Sequence, residues 1–240
     1  MKLKNLAIIL SFLLFLTSCA KDELTLPAEV NFVFGMICHQ SCETDQPKST
    51  SQINMNDNFS IDQGKIVIDA IEFDGRREKG KDVYFISNFA SAIIADLENH
   101  TTSNSVRFDI PQGEYNKIDI TFHLGNTQEL PIVLQGTLNI GANTQIPIRF
   151  EFMYNEQFQI RAKGRQFGQN IILRKDKPST ATALLDAEFL FRFINIGMII
   201  NADLINLNGV DVLLINNQHN VSIFNQLANR LHNSLTITFD

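Results

Sequence analysis

The chain has 240 residues, 44% of them hydrophobic and 19% charged, with a formal net charge of −6, 19 Phe and no Trp. That balance describes a packed protein and excludes a disordered one. Its acidic sign gives no electrostatic reason to hold nucleic acid or to lie along anionic lipid.

The first element reads as a secretory signal over 1–18. Lys2 and Lys4 form a basic n-region, Leu6 to Leu16 is apolar apart from Ser11, and Thr17-Ser18 places small residues directly before Cys19. The run is too short to cross a bilayer as a mature helix and has the charge layout of a signal. Leu16-Thr17-Ser18-Cys19 resembles the lipobox of bacterial lipoproteins. The resemblance implies cleavage before Cys19, which then becomes the first residue and carries the lipid, palmitate included. Ala20-Lys21-Asp22-Glu23 resembles the short acidic export tag of Bacteroidota-type lipoproteins that reach the cell surface. Together these imply an outer-membrane, surface-exposed protein whose membrane contact is its N-terminal lipid. Losing Lys2 and Lys4 takes the net charge from −6 to −8, so attachment has to come from acyl chains, and stable anchoring needs more than one. The competing reading is an ordinary cleaved signal with a chance cysteine.

Residues 19–27 form a lipidated tether. Val30, Phe32 and Phe34 alternate with Asn31 and Val33 as a first strand ending near Gly35. From Ile37 to Asp62 the composition is polar without a sustained period, a long loop. Lys65 to Asp74 reads as a strand apolar on both faces, Gly75 to Lys81 as a charged turn, and Asp82–Ile86 and Ala92–Leu97 as shorter strand candidates, the second with one or two helical turns as its alternative. Val106 to Ile110 leads into the turn Pro111-Gln112-Gly113. Four segments then alternate with a period of two: Tyr115–Leu124, Ile132–Ile140, Ile146–Phe152 and Phe158–Ala162. Such alternation marks strands with one buried face and predicts an antiparallel meander within a sandwich or barrel, with a mainly β, antiparallel β-sandwich over 28–175 as the leading reading.

Residues 176–240 read as a helical C-terminal region packed on the sandwich. Leu184 to Leu207 is almost continuously apolar, with Leu185, Phe189, Phe193, Ile196 and Ile200 on one stripe, which predicts a helix packed against the sheet, with Gly197 as a candidate break and Asn208-Gly209 as its end. Asp186, Glu188, Arg192 and Asp203 would each cost roughly 2.5–3.5 kcal/mol near a bilayer centre, against a transmembrane reading. Val210 to Ile215 reads as a strand, Asn220 as the cap of a last helix, and Leu235 to Phe239 as a strand or buried tail.

The chemically dense stretch is Met36-Ile37-Cys38-His39-Gln40-Ser41-Cys42. With Cys19 lipidated, Cys38 and Cys42 remain, in a compartment where disulfides persist. A disulfide between them is the leading reading. A copper or zinc site using the thiolates, His39 and Met36 is the alternative, and free or intermolecular thiols are the third. His100, His123, His219 and His232 are scattered and read as surface or structural residues. Gly-x-Ser-x-Gly, Gly-x-Gly-x-x-Gly, a Walker loop and His-Glu-x-x-His are all absent from the sequence. Paired carboxylates from distant strands could still make a hydrolase, a lower-ranked reading. Asn54–Asn58 lacks the spacing of a calcium loop, and Arg76-Arg77-Glu78-Lys79 reads as a solvated hairpin turn.

Pro111-Gln112-Gly113-Glu114-Tyr115 and the strand after it resemble a Pro-x-Gly-x-Tyr strand entry of uncharacterised β-sandwich lipoproteins of Bacteroidota-type surfaces. That resemblance implies a sandwich with a surface role and brings no catalytic residue. The expected function is binding, adhesion or assembly, with a surface protein or glycan as partner, no cofactor and no enzymatic activity. The Cys38/Cys42 readings give opposite thiol states, because a metal site needs both sulfurs reduced. Protein alkylated without reductant is expected to show no free thiol at either position and no bound copper or zinc. Two free thiols with one equivalent of tightly held metal would reverse the order of the readings.

Overall fold

The computed structural model describes residues 23–37, 59–140, 144–166 and 168–240. Cys19, Cys38, His39 and Cys42 lie outside the described residues, as do the signal and Asn54–Asn58. The strands are β1 (Pro27–Ile37), β2 (Phe59–Arg77), β3 (Val83–Asp96), β4 (Thr101–Thr102), β5 (Arg107–Pro111), β6 (Gly113–Leu124), β7 (Ile132–Ile140) and β8 (Thr144–Phe152). After them come β9 (Glu156–Arg161), β10 (Lys163–Gly164), β11 (Ile171–Leu173), β12 (Ser179–Asp186), β13 (Ile205–Leu207), β14 (Val210–Ile215) and β15 (Leu235–Phe239). Three helices interrupt the last third: α1 (Ala187–Phe191), α2 (Ile196–Ile200) and α3 (Val221–Ser234). The protein is mainly β, with two mixed sheets and a C-terminal helix. Among the described residues no helix is long and apolar enough to cross a membrane.

One sheet has five strands in the order β10-β15-β12-β1-β5. The other has ten and is built on β2, whose 19 residues span about 60 Å at a strand's rise per residue. That length gives β2 room for two partners end to end along one edge. β7 pairs with Phe59–Ile66 and β6 with Ala70–Arg77, while β3 takes the opposite edge from Lys65 to Gly75. β8 pairs with β7 and β9 with β6, both antiparallel. The four alternating segments are therefore strands, but not a meander: two broken hairpin arms run alongside one long strand.

The sheets bury their apolar faces in one cluster. Phe34 on β1 and Phe122 on β6 bring their ring centroids to 5.6 Å, and Phe85 on β3 meets Phe108 on β5 at 5.4 Å. Aromatic pairs at these separations add to the area they bury. Along α3 the buried side chains are Ile223, Phe224, Leu227 and Leu231, and Phe224 stacks on Phe150 of β8 at 6.0 Å.

Several expectations are corrected. The pairing is not antiparallel throughout, because β1–β12, β8–β14 and β10–β15 are parallel. The helix expected over Leu184–Leu207 is replaced by the end of β12, two five-residue helices and β13. β12 sits between β1 and β15 with every second residue buried, so its apolar run serves a central strand. Asn208-Gly209 does not end a helix. Its φ angles of 53° and 88° make the two-residue turn of the β13–β14 hairpin, the left-handed pair that suits a strand's twist. The charged turn is shorter than expected because β2 continues to Arg77, and the two short strands after it are one, β3.

Gly136 on β7 fixes the pairing with β2. A Cβ there would lie 1.9 Å from the Ser60 carbonyl oxygen, beside the register shift between Ile61 and Gln63. Gly136→Ala is expected to cost about 1–3 kcal/mol, the range for forcing atoms into a packed site, read as a lower urea midpoint. An unchanged midpoint would show that β2 and β7 do not pair in this register.

Candidate functional site

The outer face of the ten-stranded sheet carries two adjoining grooves of about 630 and 710 Å³. Alternation builds their common floor. Leu134, Ile148 and Phe150 turn inward and are buried, which sends Gln135, Arg149 and Glu151 outward. Register then aligns Gln63 with Gln135 and Gln135 with Arg149, and these three residues line the grooves. Arg149 donates through Nε to Glu151 Oε1 at 2.6 Å. The other Glu151 oxygen accepts from Asn216 Nδ2 at 3.1 Å, and Asn216 is buried. The pair is thus held from beneath.

The walls are tied down as well. The loop between β6 and β7 is fixed by Asn126 N donating to Asp69 Oδ2 at 2.8 Å and by Lys65 Nζ on Glu129 Oε2 at 2.8 Å. Asn155 Nδ2 donates to Asn126 Oδ1 at 3.0 Å, joining the β8–β9 loop to it. On the far side, Leu207 and Asn208 of the β13–β14 hairpin close the other groove.

Further along the same sheet lies a charged cluster. Asp119 on β6 is buried; it accepts from Arg161 Nε on β9, and Lys117 Nζ is 2.7 Å from Oδ2. Burial alone would raise its pKa, but the hydrogen bonds and charges of Arg161 and Lys117 outweigh that and hold the carboxyl below its ordinary range. Asp96, through the hydrogen bond from the Asn99 side chain, and Glu129, through that from Lys65, are also held low. His123 Nε2 sits 3.3 Å from Glu72 Oε2.

The residues singled out from the sequence are scattered across the molecule. Met36 packs in the core beside Leu185 at 8% exposure. Among the described residues no group of three His, Cys, Asp or Glu is placed to hold one. His100 Nδ1 lies 3.1 Å from the Phe34 carbonyl, a structural contact. Arg77, expected in a solvated turn, is a clasp: Nη1 donates to Leu24 O at 2.6 Å and Gln112 O at 3.2 Å, and Nε to Lys81 O at 2.6 Å. Tyr115, last residue of the Pro-x-Gly-x-Tyr entry, donates its hydroxyl to Pro111 O at 2.6 Å. Burial pushes that phenol up to about 12, with Arg77's charge acting against it. Sequence reasoning missed Gln63, Gln135 and Arg149 because each reads as a polar position on an alternating strand; only the register of three strands joins them.

No protein-family model, curated protein or solved structure matches the chain.

Because the Asp119 carboxyl is held below its ordinary pKa, its stabilisation is complete above that ordinary value and is lost as pH falls through the folded one. Wild type is expected to exceed Asp119→Asn by roughly 1–3 kcal/mol at neutral pH, the range for a hydrogen bond to a charged group. The gap should narrow below about pH 4, where the free carboxyl itself titrates. Urea midpoints for both proteins between pH 7 and pH 2.5 test this; a gap constant with pH would remove the ion-pair account.

Proposed function

We propose that this chain is a lipid-anchored cell-envelope protein, held in the outer membrane through Cys19 and exposed at the cell surface, that acts as a binding module. The observation that carries the binding role is the double groove over Gln63, Gln135 and Arg149, whose Arg149–Glu151 pair and whose wall formed by the β6–β7 loop are held by hydrogen bonds and ion pairs before any ligand arrives. Preorganisation of this kind lowers the ordering cost of association. Binding is favoured over catalysis because the sequence carries no nucleophile elbow, phosphate loop or metalloprotease helix. Metal handling through Met36–Cys42 is the second reading.

The architecture that goes with this role is a β-sandwich of the two mixed sheets. The Phe34–Phe122 and Phe85–Phe108 contacts between sheets support it. So does the Tyr115 hydroxyl bond to a carbonyl four residues upstream, a device that pins corners in β-sandwiches. Arg77 supports the anchored reading: it holds Leu24 O, five residues after Cys19, so the tether would meet the domain at a fixed point.

In a Bacteroidota-type host the wild type is expected to label with palmitate, to stay with membranes and to be cut by protease added to whole cells. Cys19→Ser should lose both the label and the membrane association. A palmitate-labelled, membrane-bound Cys19→Ser protein would end the anchor reading, and full protection of the wild type in intact cells would end the surface reading alone.

A further inference from the structure

We propose that the double groove binds a neutral, hydroxyl-rich glycan chain, an inference that rests on the binding role above and names its ligand class. Three observations point there. First, Gln63, Gln135 and Arg149 stand side by side on β2, β7 and β8, spaced at the strand separation of about 4.8 Å, comparable to the length of a pyranose ring. Gln63 and Gln135 make no side-chain hydrogen bond among the described residues. Each amide offers donors and an acceptor together, which is what a vicinal pair of hydroxyls can meet. The Nε of Arg149 is committed to Glu151, so its Nη groups remain as further donors of fixed orientation.

Second, the charge of the lining selects against anions. Asp62, Glu151, Asp96, Glu98 and Glu129 face Arg149 and Lys65, and Lys65 is already paired with Glu129. Phosphorylated, sulfated or uronic ligands would meet an acidic field, whereas an uncharged hydroxyl can donate to a carboxylate and accept from Arg149 or a Gln amide. Third, the two grooves share Gln63, Gln135 and Arg149, which makes one elongated site rather than an enclosed pocket. Isolated aliphatic side chains along it, Ile94, Leu130 and Leu207, suit the C–H faces of sugar rings.

A peptide fits less well. It would bind most readily by adding a strand at a sheet edge. The groove instead lies on a face, where the backbone groups of β2, β7 and β8 are already paired.

The test uses the full lipidated chain purified in mild detergent and run in affinity gels. The gels contain neutral polysaccharides (an α-glucan, a β-glucan, a mannan and a xylan) or acidic ones (polygalacturonate and heparin). At least one neutral polymer is expected to retard the wild type and neither acidic polymer to do so. The Gln63→Ala/Gln135→Ala variant changes two side chains without hydrogen-bond partners, so its melting temperature should hold while affinity falls roughly tenfold or more, the loss expected for removing two such contacts. Retardation that survives the double variant, equal retardation by acidic polymers, or none by any neutral polymer would each overturn the proposal. A photo-crosslinker at the groove (Gln63→benzoylphenylalanine) in whole cells separates the two levels. A protein caught there specifically, with no glycan bound, ends the glycan class and leaves the groove as a binding site. No capture and no retardation would remove the binding role together with the ligand.

Discussion

Everything in the ten-stranded sheet depends on the register of β2. A strand's side chains alternate with a period of two, so a slip of one residue would turn Ile66, Ile68, Ile71 and Phe73 away from the core. Most strands risk this with one neighbour on each edge; β2 couples three, because β7 and β6 share one edge and β3 holds the other. A slip would then misalign all three pairings together. The register is pinned by shape as much as by apolar burial. At Gly136 the β2 backbone comes too close for any Cβ, and at Gly75 a Cβ would lie 2.6 Å from the Phe73 ring and 2.7 Å from the Tyr115 ring. The register shifts at Ile61/Gln63 and Ile68/Ala70 let one strand change its facing between partners, the usual work of a bulge.

The five-stranded sheet solves a different problem, since it joins distant parts of the sequence. β1 pairs in parallel with β12 from Val30–Ser179 to Ile37–Asp186, and β15 closes on β12 from the other side. Parallel neighbours cannot be linked by a tight turn, so all the chain between them has to be placed first. The contacts that stabilise this sheet are accordingly long-range, and loop closure must precede them. The pole where β1 begins is locked by small local devices: the Tyr115 hydroxyl on Pro111 O, Gln112 N on Leu26 O at 2.8 Å, and the Arg77 clasp.

How much of this is legible in the sequence follows from which residues report on local structure and which on partners. The alternating strands β6 to β9 are legible because one face is buried and periodicity alone reveals it. So is α3, whose buried residues recur at helical spacing. The apolar run from Leu184 is not, because a central strand and a buried helix segment look alike over so few residues. Thr180 and Thr182, β-branched and directly upstream, carry the strand signal. Asn208-Gly209 between short apolar stretches is the strongest local hairpin signal there is, but it is overridden when the preceding run is already read as helix. The groove is illegible for a deeper reason: Gln63, Gln135 and Arg149 are 72 and 14 positions apart, and each has an ordinary outward-facing environment on its own strand.

The two poles of the molecule give these features a common direction. β1 starts beside the Arg77 clasp and ends at Ile37, paired with Asp186 next to α1, roughly 33 Å away at a strand's rise per residue. β2 runs between the same poles in the opposite sense: Phe59 packs on Phe191 of α1 at 5.5 Å, while Arg77 holds Leu24 O. Gln63 lies four residues from the α1 end of β2 and fourteen from the clasp. The groove is therefore remote from the point where the tether would reach the domain. With the proposed anchor on Cys19, the chain between lipid and clasp is only a few residues long, at most about 3.5 Å each. The clasped end would stand close to the bilayer and the grooved end toward the opposite pole, away from it. With that proposed anchor, an Arg side chain bound to three backbone carbonyls would fix the point at which the tether enters the domain, and the same residue that secures the fold would bear on which way the proposed binding face looks.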